Sequence, residues 1–240
     1  MVLEQLGDVL YLTTVLFALL TALFGLFMLN TLFGNKIKDL FSDKNFFIYF
    51  SLVVGYSLFA MGELTWYLIF KVFGKVDPAS MPDVYWTLGS AVLVLSFFAF
   101  ALTLHRTHRD LNKIMLMVVG GLVLLGGVIF YLSGINLADL AANRGHVFIG
   151  FFYPIADCFI IAFGSIIPIY YSKIEHFRSS LLLLFFASVG ILIADLLYIS
   201  STVEGTGPAF LYNLAYSISY LLAAIGFLTM VVSARRKIKG

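Results

Sequence analysis

A carboxylate close to a proline, deep inside an apolar run, constrains the fold of this chain more than any other feature. The run extends from about His146 to Tyr171 and contains the segment Tyr153–Cys158, with the sequence YPIADC. A helix needs about 20 apolar residues to cross a bilayer, so this run predicts a membrane span. Asp157 then lies about 15 Å from the start of the apolar part. Because an ionisable side chain at that depth is costly, we expect it to face a cavity or a partner and not lipid.

The composition places the whole chain in the membrane class. Of its 240 residues, 61% are hydrophobic and only 12% are charged, and the mean hydropathy is +1.00. Such values are typical of a protein that crosses the bilayer several times, so we expect lipid and no nucleic acid as a partner. Seven apolar segments with short polar loops predict an all-α integral membrane protein, a seven-transmembrane-helix bundle that forms one domain over residues 1–240. The predicted spans are about 8–33, 46–72, 84–104, 114–133, 147–171, 179–200 and 209–233.

The basic residues are distributed unevenly over the loops. Twelve lie in the first, third and fifth loops and the C-terminal tail, and three lie on the other side. The twelve are Lys36, Lys38, Lys44, Arg106, Arg109, Lys113, Lys173, Arg178, Arg235, Arg236, Lys237 and Lys239, and the three are Lys71, Lys75 and Arg144. Since Lys and Arg are enriched on the cytoplasmic side, the pattern predicts the N-terminus outside and the C-terminus in the cytoplasm. We therefore expect a multi-pass protein of the plasma membrane.

Three acids lie within the predicted spans, and the predicted orientation assigns a depth to each. Glu63 falls in the outer half of the second span, Asp157 near the middle of the fifth, and Asp195 in the outer third of the sixth. This distribution predicts an acidic, aromatic-lined pocket that opens outward between the second, third, fifth, sixth and seventh helices. The expected ligand-binding residues are Glu63, Trp66, Trp86, Tyr153, Asp157, Asp195, Tyr198, Asn213, Tyr216 and Tyr220.

A structural interpretation of the same residues competes with the ligand pocket. Tyr153 lies one helix turn before Asp157 and so shares its helix face. In the seventh span, polar residues at 213, 216, 217 and 220 form one stripe near the outer end. However, Tyr and Trp near span ends often anchor a helix at the interface, and polar stripes often serve helix packing.

The three acids have no basic partner at their own depth. Apart from Lys71 and Arg144 at the ends of spans, no Lys or Arg lies in the outer half of any span. Carboxyls in this situation are either neutral hydrogen-bond donors or ligands of a cation. An amine, a metal ion or a proton would each satisfy them, and the sequence leaves the identity of a metal open.

The positions of lysine and histidine argue against known membrane enzymes and pigments. A retinal protein needs a Schiff-base lysine in its last helix, and the seventh span has none between Phe210 and Ser233. Zinc hydrolases and haem proteins of the membrane need several intramembrane histidines, whereas all four histidines here lie in loops or at span ends. The one cysteine, Cys158, excludes an internal disulfide. We therefore expect no catalytic residues, no enzyme activity and no cofactor.

The fourth and fifth spans contain residues that predict how these helices pack and where they bend. Ile114–Ser133 contains nothing polar before Tyr131, which predicts a peripheral, lipid-facing helix whose glycines allow close helix contact. Pro154 and Pro168 each remove a backbone hydrogen bond in the fifth span and predict kinks there.

Motifs in five places resemble a known family, the seven-helix membrane sensor module at the N-terminus of bacterial diguanylate cyclases and related signalling proteins, including some histidine kinases. Met61–Trp66 (MGELTW) is similar to the end of that module's second helix, and Pro78–Trp86 (PASMPDVYW) to the start of its third. Tyr153–Asp157 resembles its Tyr-Pro-x-x-Asp motif. Ile193–Tyr198 resembles its Ala-Asp-x-x-Tyr motif, and Ser219–Ala224 its last helix.

The resemblance covers residues from about 56 to 224 and implies a sensor. Two features depart from the family: Thr87–Ser90 stands where a second Tyr-Pro pair is often found, and the sequence ends at Gly240 without an output domain. We expect a receptor that binds a small-molecule or cationic ligand from the outer side. It would signal by helix movement to a separate cytoplasmic protein or a second copy of itself, unless the chain is an isolated membrane module. The alternative is a cation- or proton-coupled transporter or channel that uses the same acids.

Overall fold

The computed structural model describes residues 2–34, 43–74, 80–133, 144–174, 176–201 and 209–239, and these residues are helical apart from short turns. The long helices are α1 (Val2–Phe33), α2 (Lys44–Phe73), α3 (Met81–His108), α4 (Leu111–Ser133), α5 (Arg144–Gly164), α6 (Arg178–Ile199) and α7 (Ala209–Lys239). Within this part of the chain, seven stretches are long and apolar enough to span a membrane. Six lie within single long helices, and the fifth, Phe151–Ile169, runs from α5 into the short segment after it. The prediction of seven apolar membrane helices is confirmed as far as length and composition are concerned.

Short polar motifs set the starts of α2 and α3. The Asp43 carboxylate accepts hydrogen bonds from two backbone N–H groups in the first turn of α2 (3.0 and 3.2 Å) and so caps the helix. At α3, the backbone N–H of Ser80 donates to the Asp83 carboxylate (2.9 Å), as in a capping box. Residues 75–79, which include the start of the motif predicted to lead into α3, lie outside the described residues.

Six of these helices form a closed ring in the order α1, α2, α3, α5, α6 and α7, with α7 packed against α1. The backbones of α2 and α3 approach closely, since a Cβ added at Gly55 would lie 3.3 Å from the Gly89 carbonyl oxygen. Between α1 and α7, the Thr21 hydroxyl donates to the Tyr220 carbonyl oxygen (2.8 Å). Small and hydroxyl-bearing residues at such contacts are typical of helices that associate in lipid.

α4 lies outside this ring and packs mainly against α5. Most of its apolar side chains are exposed. A Cβ added at Gly121 would meet Ala162 of α5, but one added at Gly120, Gly126 or Gly127 would meet nothing within 4 Å. The predicted peripheral position is therefore confirmed, whereas only one of the four glycines allows a close helix contact.

The span predicted over 147–171 corresponds to one apolar stretch of the structure, Phe151–Ile169, but the helix within it is interrupted after Gly164. A short helical segment, Ile166–Ile169, follows after one turn residue. Pro168 has no N–H to donate to the Gly164 carbonyl oxygen, so one helical hydrogen bond is missing at the interruption. Helical bonds resume directly after it, where the Ile169 N–H donates to the Ser165 carbonyl oxygen (3.2 Å). By contrast, α5 continues through Pro154.

The helices alternate in direction, which creates two faces of the bundle. We call the end at which α1 begins the N-terminal face; α2 ends there, and Tyr11 of α1 contacts Trp66 of α2 with 4.6 Å between ring centroids. At the opposite, C-terminal face, Phe33 of α1 contacts Phe46 of α2 (5.0 Å). Which face lies outside the cell stays a prediction from the loop charges.

Candidate functional site

Glu63 is a buried acid on α2, 5% exposed, that two tyrosines from other helices approach. The Tyr220 hydroxyl of α7 donates to Oε1 (3.0 Å). The Tyr11 hydroxyl of α1 donates to the Glu63 carbonyl oxygen (2.9 Å) and lies 3.3 Å from Oε2. Both carboxylate oxygens therefore have a donor within reach, and α1, α2 and α7 meet at this one side chain.

Asp157 of α5 and Asp195 of α6 lie side by side, with their carboxyl groups within hydrogen-bonding range of each other. The Tyr216 hydroxyl of α7 donates to Oδ1 of Asp195. Asp157 is 3% exposed, and when both acids are ionised its Oδ2 has no hydrogen-bond donor within the described part of the chain. A proton between the two carboxyls would supply the missing donor, because a protonated carboxyl donates one hydrogen bond.

One helix connects the two acid positions. Tyr216 and Tyr220 lie four residues apart on α7, and hence on one helix face, and they donate to Asp195 and Glu63 respectively. We call Glu63, Asp157 and Asp195 the acid cluster. Its acids come from α2, α5 and α6, and its tyrosine donors come from α1 and α7.

No basic side chain among the described residues pairs with the acid cluster. Lys71, one of two cations that the sequence placed within reach, forms an ion pair with Asp8 instead (3.6 Å). The side chain of the other, Arg144, lies outside the described residues. Over the same ranges, no three His, Cys, Asp or Glu side chains converge in a way that could hold a metal ion. In the described structure, tyrosine hydroxyls and not cationic groups are thus the hydrogen-bond donors to Glu63 and Asp195.

Tyr153 and Trp86 lie beside the acid cluster and connect α2, α3 and α5. The Tyr153 hydroxyl donates to Asp83 at the start of α3 (3.1 Å to Oδ1), not to the acid one turn away on its own helix. Trp86 packs edge-on against Tyr153, with 6.3 Å between ring centroids. A Cβ added at Gly62, the residue before Glu63, would lie 2.6 Å from Trp86 Cδ1, so α3 packs tightly here.

Trp66 and Tyr198 lie closer to the N-terminal face than the acids of their own helices. Trp66 stacks on Phe70 (5.1 Å) and contacts Tyr11 edge-on (4.6 Å). Tyr198 packs edge-on against Tyr212 of α7 (5.3 Å) and is 39% exposed. Trp66 therefore supports the tyrosine that donates to Glu63, and both residues fit the structural interpretation better than a direct ligand contact.

The predicted polar stripe of α7 divides into two faces. Its two tyrosines face the acids, whereas Asn213 and Ser217 face α1. The Asn213 amide donates to the Gly7 carbonyl oxygen (3.4 Å), and the Ser217 hydroxyl lies 2.8 Å from the Thr14 hydroxyl. Asn213 therefore holds α7 against α1 and does not join the tyrosines in the site.

Large buried side chains fill the centre of the bundle on the C-terminal side of the acid cluster. Tyr56 of α2 is fully buried, and its hydroxyl lies 3.3 Å from the Leu184 carbonyl oxygen and 3.4 Å from the Ser188 hydroxyl. Both belong to α6, which lies opposite α2 in the ring, so the Tyr56 side chain spans the centre. Its ring packs edge-on against Phe227 of α7 (5.8 Å), and Phe97 of α3 belongs to the same buried core.

We call Tyr56, Phe97, Ser188 and Phe227 the central plug. Tyr56 precedes Glu63 by seven residues on α2, and Ser188 precedes Asp195 by seven on α6. Seven residues are two helix turns, or about 10 Å. Within the described ranges, the plug thus lies between the acid cluster and the C-terminal face.

Sequence reasoning missed Tyr11 and Tyr56. Tyr11 is visible as a polar aromatic residue near the start of the first span, but nothing in the sequence places α1 beside Glu63. Tyr56 carries a signal that could have found it, because it lies two turns before Glu63 on the same helix face. The outward-opening pocket itself stays a prediction.

Comparison of the chain with protein-family models, with curated proteins and with solved structures found no match. The resemblance to bacterial sensor modules therefore rests on the sequence motifs alone.

Proposed function

We propose that this chain is a membrane receptor that recognises a positively charged ligand at the acid cluster and transmits its binding through α7. One observation carries the proposal: two tyrosines of a single helix, Tyr216 and Tyr220, donate to two of the three acids. A cation that binds Asp195 or Glu63 needs the same carboxylate lone pairs. Ligand binding therefore competes with the hydrogen bonds that hold α7 in its position.

α7 is suited to transmit such a change. It continues as one helix from Ala209 to Lys239, past the apolar stretch that ends at Arg235. It packs against both α1 and α6. Because packed helices shift as units, release of two contacts near one face is expected to move the helix at the other face.

The loop charges support an arrangement with the acid cluster toward the outside and the end of α7 in the cytoplasm. The ligand would then reach the acids from the outer side. The basic end of α7, residues 235–239, would meet a cytoplasmic signalling protein or a second copy of the chain. This arrangement agrees with the function implied by the resemblance to bacterial sensor modules.

The alternative is a transporter or channel that uses the same acids. Such a protein needs a polar route from the acid cluster to the C-terminal face. The central plug occupies that region with buried, mostly aromatic side chains, each at most 3% exposed. The geometry therefore favours a receptor over a transporter.

Spin-label distances test whether α7 responds to the loss of its tyrosine contacts. Labels at His108 on α3 and Arg235 on α7, both exposed near the C-terminal face, report the separation of these helices. The buried Cys158 is replaced by Ala throughout. The double variant Tyr216→Phe/Tyr220→Phe imitates a ligand that displaces both hydroxyls. Pulsed EPR in lipid nanodiscs should then detect a shift of about 1–2 Å or more.

Tyr212→Phe, on the same helix, is the matched control and should leave the distance distribution unchanged. An unchanged distribution in the double variant would contradict coupling through α7. Liposome assays address the alternative: flux of protons or metal ions that disappears with Asp157→Asn would establish the transporter instead.

A further inference from the structure

We infer that Asp157 and Asp195 form a proton-exchange site, in which the empty pair holds one shared proton and a small monovalent cation binds in its place. The inference rests on the proposed function and deepens it by naming the chemistry of the ligand. Its basis is the contact between two carboxyls inside the bundle, one of which has a buried oxygen without a donor.

Charge balance explains why one positive charge is the natural occupant. Two carboxylates at hydrogen-bonding range repel each other strongly away from water. With one proton between them, the pair has a net charge of about −1 and gains a hydrogen bond, as in other paired carboxyls. A monovalent cation that displaces the proton leaves two carboxylates and one positive charge, and the proton goes to water. The net charge of the buried site does not change, so the exchange adds no further cost of burying charge.

Apart from the pair, the carboxyl groups near this site are Glu63 on α2 and Asp83 on α3. The other titratable groups within electrostatic range are phenols and one thiol, which are neutral at pH 7. They are Tyr56 on α2, Tyr153 and Cys158 on α5, Tyr198 on α6, and Tyr216 and Tyr220 on α7. On α3, Asp83 accepts the hydrogen bond of Tyr153. Glu63 differs from the pair because each of its oxygens has a tyrosine hydroxyl within reach.

The surroundings favour a monovalent cation over a multivalent metal ion. Mg²⁺ and Ca²⁺ take about six or more oxygen ligands. Across the described ranges, no third acid, His or Cys converges with the pair to make a metal site. Two carboxylates, with the Tyr216 hydroxyl displaced from Asp195, suit either a sodium ion or a small protonated amine.

Infrared spectroscopy of the full chain in nanodiscs tests for the shared proton, because a protonated carboxyl has a C=O stretch that a carboxylate lacks. We expect this band in the wild type at neutral pH. It should disappear in Asp157→Asn and in Asp195→Asn, in which the new amide supplies the missing donor. Glu63→Gln is the matched control and should keep the band. A wild-type spectrum without the band, or a band that persists in both Asp variants, would overturn the inference.

Proton release tests the exchange itself. Sodium chloride or methylammonium chloride is added to the wild type in weakly buffered solution, with choline chloride as the control for ionic strength. We expect one of the two small cations to release about one proton per chain, and neither to release any from Asp157→Asn. The cation that succeeds distinguishes a metal ion from an amine, and failure of both would overturn the exchange. Neither measurement reports the position of α7, so such a failure is separate from the result of the spin-label experiment.

Discussion

Removal of the Tyr220 hydroxyl should destabilise the bundle by about 1.5 kcal/mol. In the wild type this hydroxyl donates to Glu63 Oε1 at 3.0 Å, between side chains that are 2% and 5% exposed. Hydrogen bonds between membrane helices contribute about 0.6 kcal/mol on average and up to about 1.7. Tyr220→Phe leaves a buried carboxylate oxygen without its donor, so the upper part of this range applies. About 1.5 kcal/mol corresponds to a roughly tenfold change in the unfolding equilibrium.

Tyr11→Phe should cost less, about 0.5 kcal/mol. Tyr11 donates to the Glu63 carbonyl oxygen (2.9 Å) and lies 3.3 Å from Oε2, but it is only partly buried, so water can replace the lost donor more readily than at Tyr220. Reversible unfolding in mixed micelles with increasing SDS measures both free energies. The fluorescence of Trp66 and Trp86 provides the signal, since both lie around the acid cluster.

A double-mutant cycle separates this hydrogen bond from other effects of the substitutions. Glu63→Met removes the acceptor at similar volume, and it is combined with Tyr220→Phe. We expect a coupling energy of about 1.5 kcal/mol, whereas residues that do not interact are additive to within about 0.3–0.5 kcal/mol. Tyr212→Phe replaces Tyr220→Phe in the control cycle and should show no coupling. A value for Tyr220 within the additive range would refute the link between α7 and Glu63.

Substitutions at four further positions test other parts of the structure. Gly62→Ala should destabilise by about 1–3 kcal/mol, since its Cβ would lie 2.6 Å from Trp86 Cδ1. Gly126→Ala, in open space, should be neutral or stabilise by up to about 1 kcal/mol, and thermal unfolding in detergent measures both. Pro168→Ala should join α5 to the short segment after it and slow amide hydrogen exchange there; unchanged exchange would show that the proline does not cause the break. Asp83→Ala should lower the melting temperature through a loss of about 1–2 kcal/mol, because α3 loses its cap, and Asp83→Asn should cost less.

The position of a residue along its helix can be read from the sequence, but its direction around the helix axis cannot. Glu63, Asp157 and Asp195 are visible because a charge in an apolar run is rare, and counting from the span end supplies the depth. The sequence of each span, taken separately, does not indicate which other helices lie beside it in the ring. The contact between Asp157 and Asp195 depends on α5 lying beside α6, and the contact of Tyr11 with Glu63 depends on α1 lying beside α2.

The spacing of the polar residues on α7 predicted their contacts only in part, again because spacing does not determine which neighbouring helix a side chain meets. Residues 213, 216, 217 and 220 form one stripe by spacing, but the stripe is wide enough to touch two neighbours. Tyr216 and Tyr220 therefore meet acids, while Asn213 meets α1. The two prolines of the predicted fifth span are a second example of a sequence signal with more than one structural outcome. Pro154 and Pro168 carry the same signal, and a missing N–H alone does not determine whether a helix continues or ends.

The position of α4 outside the ring has a consequence for the path of the chain. α3 and α5 are neighbours in the ring, and both run from the N-terminal face to the C-terminal face. Two parallel neighbours cannot be joined by a short loop, so the chain must return across the hydrocarbon between them. Only a segment with all its backbone hydrogen bonds satisfied can make that return. α4 is such a crossover connection, and it needs to be apolar and helical but supplies no side chain to the acid cluster. Exchange of its exposed apolar residues for one another should therefore be tolerated better than similar exchanges within the ring.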